Sequence, residues 1–224
     1  WLYDSPYRWE TYPIIRLDFS LCRVESAAEL KVELANYIQE IARDYGITLQ
    51  AGGYQKQLRD LIRQLTAKNK VVILIDEYDK PIIDNIENVK EAQRIRDVLK
   101  GFYAVIKGMD AYLRFVLLTG ISKFSKVGVF SGLNNLEDVT MSPAFASALG
   151  ITEAEVTADF NDYIVDFAQK EGVSTETLLE QMRQWYNGFC FAAGGQNVYN
   201  PFSLLLFFKQ QRFANFWFET GTPT

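Results

Sequence analysis

The sequence predicts an α/β fold in which a parallel β-sheet with flanking helices is followed by a smaller helical region. In the first 141 residues, short apolar runs alternate with helical patterns, which is typical of β-α-β units. One run, VVILI at residues 71–75, is continuously apolar, as expected for a parallel strand covered on both faces. From residue 142 onward, helical spacing dominates. We therefore predict two domains, residues 1–141 and residues 142–224.

The elements of the first domain follow from apolar spacing and from start and stop signals. Ser26 and Glu29 form a predicted capping box at the start of a helix that ends near Gly46. The other predictions are strands at 13–19 and 71–75, helices at 54–68 and 88–107, a strand at 114–119 and a short strand near 137–141. Alternating strands and helices of this kind build an open sheet with helices on both faces.

The second domain is predicted to consist of helices. Helical spacing covers residues 152–171 and 174–186, and Gly188 is placed as the C-cap glycine of the latter. Asn200 and Pro201 form an N-cap and first-turn pair that opens an aromatic-rich helix, PFSLLLFFKQQRF. The two parts are expected to pack together.

Composition excludes several classes of chemistry. The 224 residues contain no histidine and only two cysteines, so Ser-His and Cys-His catalysis and the usual zinc sites are excluded. The net charge is −5 and no strongly basic stretch occurs, so nucleic-acid binding is not supported by charge. No apolar run of about 18 residues and no signal peptide is present, which predicts a cytoplasmic protein without a membrane span.

Polar residues lie at the carboxyl ends of three of the predicted strands. They are Asp18, the Asp76-Glu77 pair and Thr119 with Gly120, and ligands of open parallel sheets bind at the carboxyl ends of the strands. An apolar strand ending in Asp-Glu is the pattern of a Walker B element. In that interpretation Asp76 coordinates Mg²⁺ and Glu77 polarises the water that attacks the γ-phosphate, while Thr119 stands where a γ-phosphate sensor is placed.

A structural interpretation of the same residues stays open. Asp76 and Glu77 can also mark a core strand that emerges into a polar turn, with Lys80 pairing one of the acids. Thr119 can be an ordinary strand-end residue that makes local hydrogen bonds. A nuclease of the PD-(D/E)xK type is discounted, because that motif needs one residue between acid and lysine and Asp79 directly precedes Lys80.

A series of longer blocks resembles one known family. The blocks are YPIIRLDFS, LIDEYDKP, TGISKFSK, FSGLNNLEDVT, GITEAEV, WYNGF, VYNPFS and the terminal ETGTPT, in this order over nearly the whole chain. They resemble the bacterial AAA-ATPase-like family, predicted ATPases related to the STAND and archaeal-type ATPases. The resemblance implies a P-loop NTPase-like fold that uses ATP and Mg²⁺, with Asp76 as the metal ligand, Glu77 as the general base and Thr119 as the sensor. It also implies that residues 1–141 are a partial ATPase core and that residues 142–224 are the start of a C-terminal lid or domain.

The phosphate-binding loop of that family, G-x-x-x-x-G-K-[ST], does not occur in the sequence, since no glycine is followed by lysine. The resemblance places this loop and its central strand, next to the strand that carries Thr119, upstream of Trp1. We therefore expect a fragment of an ATPase that is inactive by itself. The family also implies a C-terminal nuclease-like domain in the same polypeptide, whereas the sequence does not predict an oligomeric state.

Three alternatives remain. In the loop at residues 123–135, Lys123, Lys126, Asn134 or Asn135 can contact phosphate or a partner, or can simply satisfy unusual backbone angles. The aromatic tract at 207–218 suits core packing better than stacking on single-stranded nucleic acid. The alternative function is a non-hydrolysing, nucleotide-sensing or protein-interaction module.

Overall fold

The computed structural model describes residues 6, 8–121 and 135–216. The chain divides into two compact units, Trp1–Leu136 and Glu137–Thr224, each with its own hydrophobic core. Three strands and eight α-helices are present among the described residues, so the predicted α/β class is confirmed. The roles assigned to residues 1–141 and 142–224, an ATPase core and a helical lid or following domain, stay predictions.

The first unit is a parallel sheet with a layer of helices. Its strands and helices lie close to the predicted bounds, and the single-turn helix α3 is the one that the sequence did not predict. In chain order they are β1 (Ile14–Asp18), α1 (Ala27–Asp44), α2 (Tyr54–Leu65), β2 (Val71–Asp76), α3 (Lys80–Ile83), α4 (Val89–Gly108) and β3 (Leu113–Leu118).

The predicted capping box of α1 forms only in part. The Ser26 hydroxyl accepts a hydrogen bond from the Glu29 backbone N–H at 3.2 Å, so Ser26 is the N-cap. The Glu29 carboxylate, however, accepts from the backbone N–H of Glu25 at 2.8 Å rather than from that of Ser26. The cap therefore extends one residue further upstream than the two-residue motif implies.

The sheet has the order β1-β2-β3, and all three strands are parallel. Helices α1, α2 and α4 contact one another and form one layer. Ile15, Leu17, Ile73 and Ile75 are at most 2% exposed, because alternate strand residues point into the core under this layer.

The opposite face of the sheet has no helix layer among the described residues of this unit, and we call it the open face. It is formed by residues that are Cα partners across the strands: Ile14 with Val72, Arg16 with Leu74, Val72 with Phe115, and Leu74 with Leu117. Ile14, Phe115 and Leu117 are 45%, 52% and 41% exposed. The prediction of helices on both faces is therefore not met by the described residues of this unit.

The outer edges of the sheet differ. The Tyr45 hydroxyl, on the turn after α1, accepts a hydrogen bond from the Ile14 N–H at 2.8 Å and donates one to the Ile14 carbonyl at 3.2 Å. These bonds occupy the outward-facing N–H and carbonyl of Ile14, the first residue of β1. The order of the three described strands leaves β3 with β2 as its sole strand partner.

The predicted strand near 137–141 is wrong. Residues 135–142 contain no strand and consist of irregular chain with turns at residues 135, 140 and 141. The Asp138 carboxylate accepts from the Thr140 N–H at 3.1 Å, and the Ser142 N–H donates to the Val139 carbonyl at 3.1 Å. Asp side chains compete with sheet hydrogen bonds in this manner, which explains the difference.

The second unit is helical, as predicted, but its first helix is broken. Residues 152–171 form two helices that meet at Phe160, whose φ is −114°. The Phe160 ring stacks on Phe208 with centroids 5.0 Å apart, so tertiary packing overrides the local helical pattern. The helices are α5 (Glu153–Asp159), α6 (Asn161–Glu171), α7 (Thr175–Tyr186) and α8 (Pro201–Gln210).

Of the two predicted helix caps in this unit, the N-cap of α8 is present and the C-cap glycine of α7 is not. Asn200 is the N-cap of α8 and its side chain accepts from the Ser203 N–H at 3.0 Å, which confirms the predicted Asn-Pro start. The predicted role of Gly188 is wrong, because α7 ends at Tyr186 with Asn187 as its C-cap and Gly188 does not adopt a positive φ. None of the described helices combines the length and apolar character needed to cross a membrane.

Candidate functional site

The predicted site residues lie together at the carboxyl end of the sheet. Asp18 and Asp76 end β1 and β2 and are Cα partners in the register, and Thr119 directly follows β3. By strand alternation, Asp18, Asp76 and Thr119 continue the series of residues that forms the open face. The structure therefore brings the open face and the strand-end polar groups into one continuous surface.

Asp76 is the hydrogen-bonding centre of this group. Its Oδ1 accepts from the Thr119 hydroxyl, which joins the ends of β2 and β3, and from the Glu77 backbone N–H at 3.0 Å. No described residue donates to its second oxygen, Oδ2, and the residue is exposed. One carboxylate oxygen thus fixes the side chain while the other is available to a ligand.

Glu77 has an unusual backbone conformation. Its φ is +49°, and it is one of two described residues other than glycine with a positive φ. A left-handed conformation costs about 1–2 kcal/mol in a residue with a Cβ. The half-buried Glu77 carboxylate makes no hydrogen bond or ion pair with the described residues. Strained residues of this kind are concentrated at functional sites, which makes Glu77 a candidate.

Thr119 is held by both backbone and side-chain contacts. Its N–H donates to the Ile75 carbonyl and its carbonyl accepts from the Tyr78 N–H, each at 2.9 Å. Its hydroxyl lies 3.4 Å from the Ile75 carbonyl and contacts Asp76. The local hydrogen bonds that the structural interpretation predicts are thus present, together with a contact to the candidate metal ligand.

Sequence reasoning missed the packing of Gly120 and Asp79. A Cβ on Gly120 would lie 2.5 Å from Oδ1 of Asp79 and 2.7 Å from the Tyr78 ring, so this position has no room for a side chain. Asp79 is 1% exposed although it follows two exposed or half-buried acids. Both residues adjoin predicted site residues in the chain, but only the fold shows that the two contact each other.

The acid partner of Lys80 is Asp84. The Lys80 ammonium lies 3.0 Å from the Asp84 carboxylate, one helical turn further along the chain. Asp18 is satisfied locally, since hydrogen bonds from the Ser20 hydroxyl and N–H lower its pKa. Lys80 thus neutralises neither Asp76 nor Glu77.

The donor set at the strand ends suits a cation that takes most of its ligands from elsewhere. Within the described residues, no group of three or more His, Cys, Asp or Glu side chains could hold a metal ion. Mg²⁺ in nucleotide sites is typically held by one or two carboxylates, by phosphate oxygens and by water. Asp76, with one available oxygen, fits that requirement, whereas a metal held by protein ligands alone does not fit.

Part of the predicted loop lies outside the described residues. This applies to Lys123, Lys126 and Asn134, and also to the terminal ETGTPT block. Asn135 is described, and its amide donates to the Asp110 carboxylate at 3.0 Å. Asn135 thus makes a structural contact within the first unit.

Comparison with known proteins gives a family and a longer relative. The profile of a family described as predicted AAA-ATPases, AAA-ATPase-like, matches residues 1–130, more than half of the chain. A protein of Azotobacter chroococcum mcd 1, named "Uncharacterized protein in vnfD 5'region", is 39% identical over 222 residues. The match covers 97% of this chain but 41% of that relative, so the chain spans less than half of the relative's length. No solved structure matches the chain.

Proposed function

The chain belongs to the family of predicted AAA-ATPases, and on this premise we propose that it is part of a P-loop enzyme that hydrolyses ATP with Mg²⁺. The observation that carries the proposal is the contact between Asp76 and Thr119 at the ends of adjacent parallel strands. Beside it lies the Glu77 carboxylate, which has no partner among the described residues. ATPases couple hydrolysis to a conformational change, and the same is proposed here.

Each of the three residues has a proposed role. Asp76 would hold the metal, directly or through water, with the oxygen that Thr119 and Glu77 do not use. Glu77 accepts a proton from the attacking water, a task that suits a carboxylate without a competing partner. Thr119 contacts Asp76 and positions its hydroxyl at the edge where the γ-phosphate would lie. Bound MgATP supplies the phosphoryl group that is transferred to water.

The phosphate-binding loop must come from outside this sequence, which contains no glycine followed by lysine. The open face supports this inference. Phe115 and Leu117 of β3 are 52% and 41% exposed, whereas the apolar sequence of this strand predicts that it is buried. We propose that a segment of the complete protein adds a strand beside β3 and covers this face. The 224-residue chain alone is then inactive.

The other expectations from the sequence stay predictions. The relative is more than twice as long as the aligned region, which leaves room for the expected C-terminal nuclease-like domain in a complete protein. A cytoplasmic location also stays a prediction. Binding of nucleic acid is not proposed, because the net charge of −5 gives it no support.

The decisive experiment uses the complete protein and measures phosphate release from ATP with and without Mg²⁺. We expect Glu77→Gln to reduce kcat by about 100-fold or more while ATP still binds, a typical effect of removing a general base. Asp76→Asn should instead weaken binding of MgATP relative to metal-free ATP. Glu87→Gln, an exposed glutamate between α3 and α4, is the matched control and should turn over at the wild-type rate.

Two results would overturn the assignment. Wild-type turnover by Glu77→Gln would show that Glu77 is not the base. Tight binding of ATP without any hydrolysis in the wild-type complete protein would favour the nucleotide-sensing module. Calorimetry on the 224-residue chain is expected to show no tight ATP binding, and submicromolar affinity would mean that the phosphate site lies within it.

A further inference from the structure

The turn after β2 carries a buried acid that the proposed mechanism does not use. Asp79 is 1% exposed, whereas Glu77, two positions earlier in the chain, is half-buried. Taking a carboxylate out of water costs free energy, so an acid that is buried in a short turn indicates that the fold uses it. The place of Asp79 beside the candidate base points to a role in the same site.

The backbone of this turn is fixed by hydrogen bonds, but the Glu77 side chain is not. The Glu77 N–H donates to the Asp76 carboxylate and the Glu77 carbonyl accepts from the Lys80 N–H, each at 3.0 Å. The Tyr78 N–H donates to the Thr119 carbonyl at 2.9 Å. The Glu77 carboxylate has no partner among the described residues, so its direction depends on the backbone, which has the left-handed φ of +49°. Such a conformation persists only where the surrounding structure holds it.

Asp79 connects this turn to the end of β3. A Cβ on Gly120, the residue after Thr119, would lie 2.5 Å from Oδ1 of Asp79, so the carboxylate lies close to the backbone of Gly120. The Asp79 carbonyl accepts from the N–H groups of Ile82 and Ile83 at 3.0 and 3.1 Å, and these bonds begin α3. Asp79 thus contacts the strand end with its side chain and starts the next helix with its backbone.

Buried aromatic side chains surround the Asp79 carboxylate. Tyr78 and Tyr103 are 8% and 1% exposed. Burial raises the pKa of the Tyr103 hydroxyl, and the proximity of Tyr78 and Asp79 raises it further, which places the Asp79 carboxylate near this buried group. A side chain in packed surroundings has few alternative rotamers, so Asp79 can hold the turn in one place.

We propose that Asp79 is a positioning residue, which keeps the turn seated against Gly120 and thereby directs the Glu77 carboxylate toward the attacking water. This inference rests on the proposed function, in which Glu77 is the general base. Asp79 itself would touch neither the water nor the nucleotide. A misplacement of about 1 Å can lower the rate of an enzyme about 100-fold, so loss of the contact has a measurable effect.

The test measures phosphate release from ATP by the complete protein. Asp79→Ala should lower kcat about 30-fold and change KM for MgATP by no more than about twofold, because the groups that bind the nucleotide stay in place. Asp79→Asn keeps the shape of the side chain and should lower kcat by no more than about threefold, since Glu77 is then displaced less. Asp97→Ala, at an exposed position of α4, is the matched control and should turn over at the wild-type rate.

A double-mutant cycle separates positioning from a general loss of structure. In the Glu77→Gln background, Asp79→Ala should cause no further loss of kcat in single-turnover measurements, because no base is left to misplace. Losses that multiply, or a wild-type kcat in Asp79→Ala, would overturn the proposal. Where Asp79→Ala does not fold, Asp79→Ser takes its place in the same cycle.

Amide hydrogen exchange on the same protein gives a readout besides turnover. Asp79→Ala should accelerate exchange of the Tyr78 N–H about tenfold more than exchange of the Ile73 N–H in the middle of β2, because the contact with β3 is lost locally. Equal acceleration at the two positions would show that Asp79 does not hold the turn. If the wild type released no phosphate, or if Glu77→Gln turned over at the wild-type rate, the proposed function itself would be wrong, whereas the exchange measurement would still decide whether Asp79 holds the turn.

Discussion

Two glutamates, one in each unit, are held in opposite ways. Glu153 accepts hydrogen bonds from Tyr199, Arg183 and Asn187, and these bonds join the WYNGF and VYNPFS motifs of the second unit. Glu77 has no such bond among the described residues, and its backbone has the left-handed φ of +49°. The Glu153 carboxylate thus stabilises the fold through its hydrogen bonds, whereas Glu77 keeps an unfavourable backbone conformation and its carboxylate has no partner among the described residues.

This difference distinguishes an acid that the fold uses from an acid that is available to a ligand. A carboxylate with all of its partners within the protein contributes to stability and has little capacity to bind anything else. A carboxylate without partners, on a residue with a strained backbone, contributes little to stability and is available to accept a proton from a ligand. Four measurements test this comparison, and they follow in order of decreasing expected effect.

The largest effect is expected from alanine at the two glutamates. Glu153→Ala should lower the free energy of unfolding by about 3 kcal/mol, because it leaves the buried Tyr199 hydroxyl and Asn187 amide without their acceptor. Glu77→Ala should change it by no more than about 0.5 kcal/mol. Urea unfolding monitored by circular dichroism checks both, with Glu171→Ala at an exposed position of α6 as the control. Equal losses at the two sites would refute the distinction.

The second effect concerns how tightly the strand-end region is built. Gly120→Ala should lower the free energy of unfolding by about 2 kcal/mol, since the new methyl group would meet Asp79 and Tyr78. Gly108→Ala, at the end of α4 with nothing within 4 Å of its Cβ, should be neutral or stabilising. Thermal melts of the two variants provide the measurement, and a neutral Gly120→Ala would mean that the region can relax.

The third effect is the release of backbone strain. Glu77→Gly should be about 1 kcal/mol more stable than Glu77→Ala, because glycine adopts a positive φ without a Cβ clash. The sign is opposite to that expected at an ordinary position, where glycine is the less stable of the two. The same urea experiment measures it, and the ordinary sign would show that the strain is not present.

The smallest effect is a pH dependence of stability. The pKa of folded Glu153 lies below its ordinary value of 4.5, so its contribution to stability is complete above pH 4.5 and is lost as the pH falls through the lowered pKa. The difference in unfolding free energy between wild type and Glu153→Ala should therefore shrink at acid pH. A difference that stays constant from pH 6 to pH 3 would show that Glu153 gains nothing from its partners in charged form.

Sequence patterns identified the elements and the strand-end acids, because these depend on local periodicity. The three strands of the sheet and the helices around residues 27–44 and 89–108 were recognised from apolar spacing. The break at Phe160 and the turns that replace the strand near 137–141 were not, since a ring contact with Phe208 and a side-chain bond of Asp138 decide them.

The candidate site was predicted in its residue types but not in its geometry. The acids Asp76 and Glu77 were recognised from their position after an apolar run. Nothing local encodes the bond between Asp76 and Thr119, which are 43 positions apart, or the left-handed turn at Glu77. The contact between Gly120 and Asp79 is likewise visible only when neighbouring strand ends are brought together by the fold.

The Tyr45 hydroxyl makes the two outer edges of the described sheet unequal as partners for a further strand. Since it occupies both outward backbone groups of Ile14, an incoming strand would meet an obstacle at the start of β1. Beside β3 no further strand lies among the described residues. A single tyrosine hydroxyl thus makes the edge at β1 less suitable than the edge at β3 for pairing with a further strand. The outer edge of β3 is therefore the expected position both for the strand that we propose to complete the sheet and for a wrong strand from another chain.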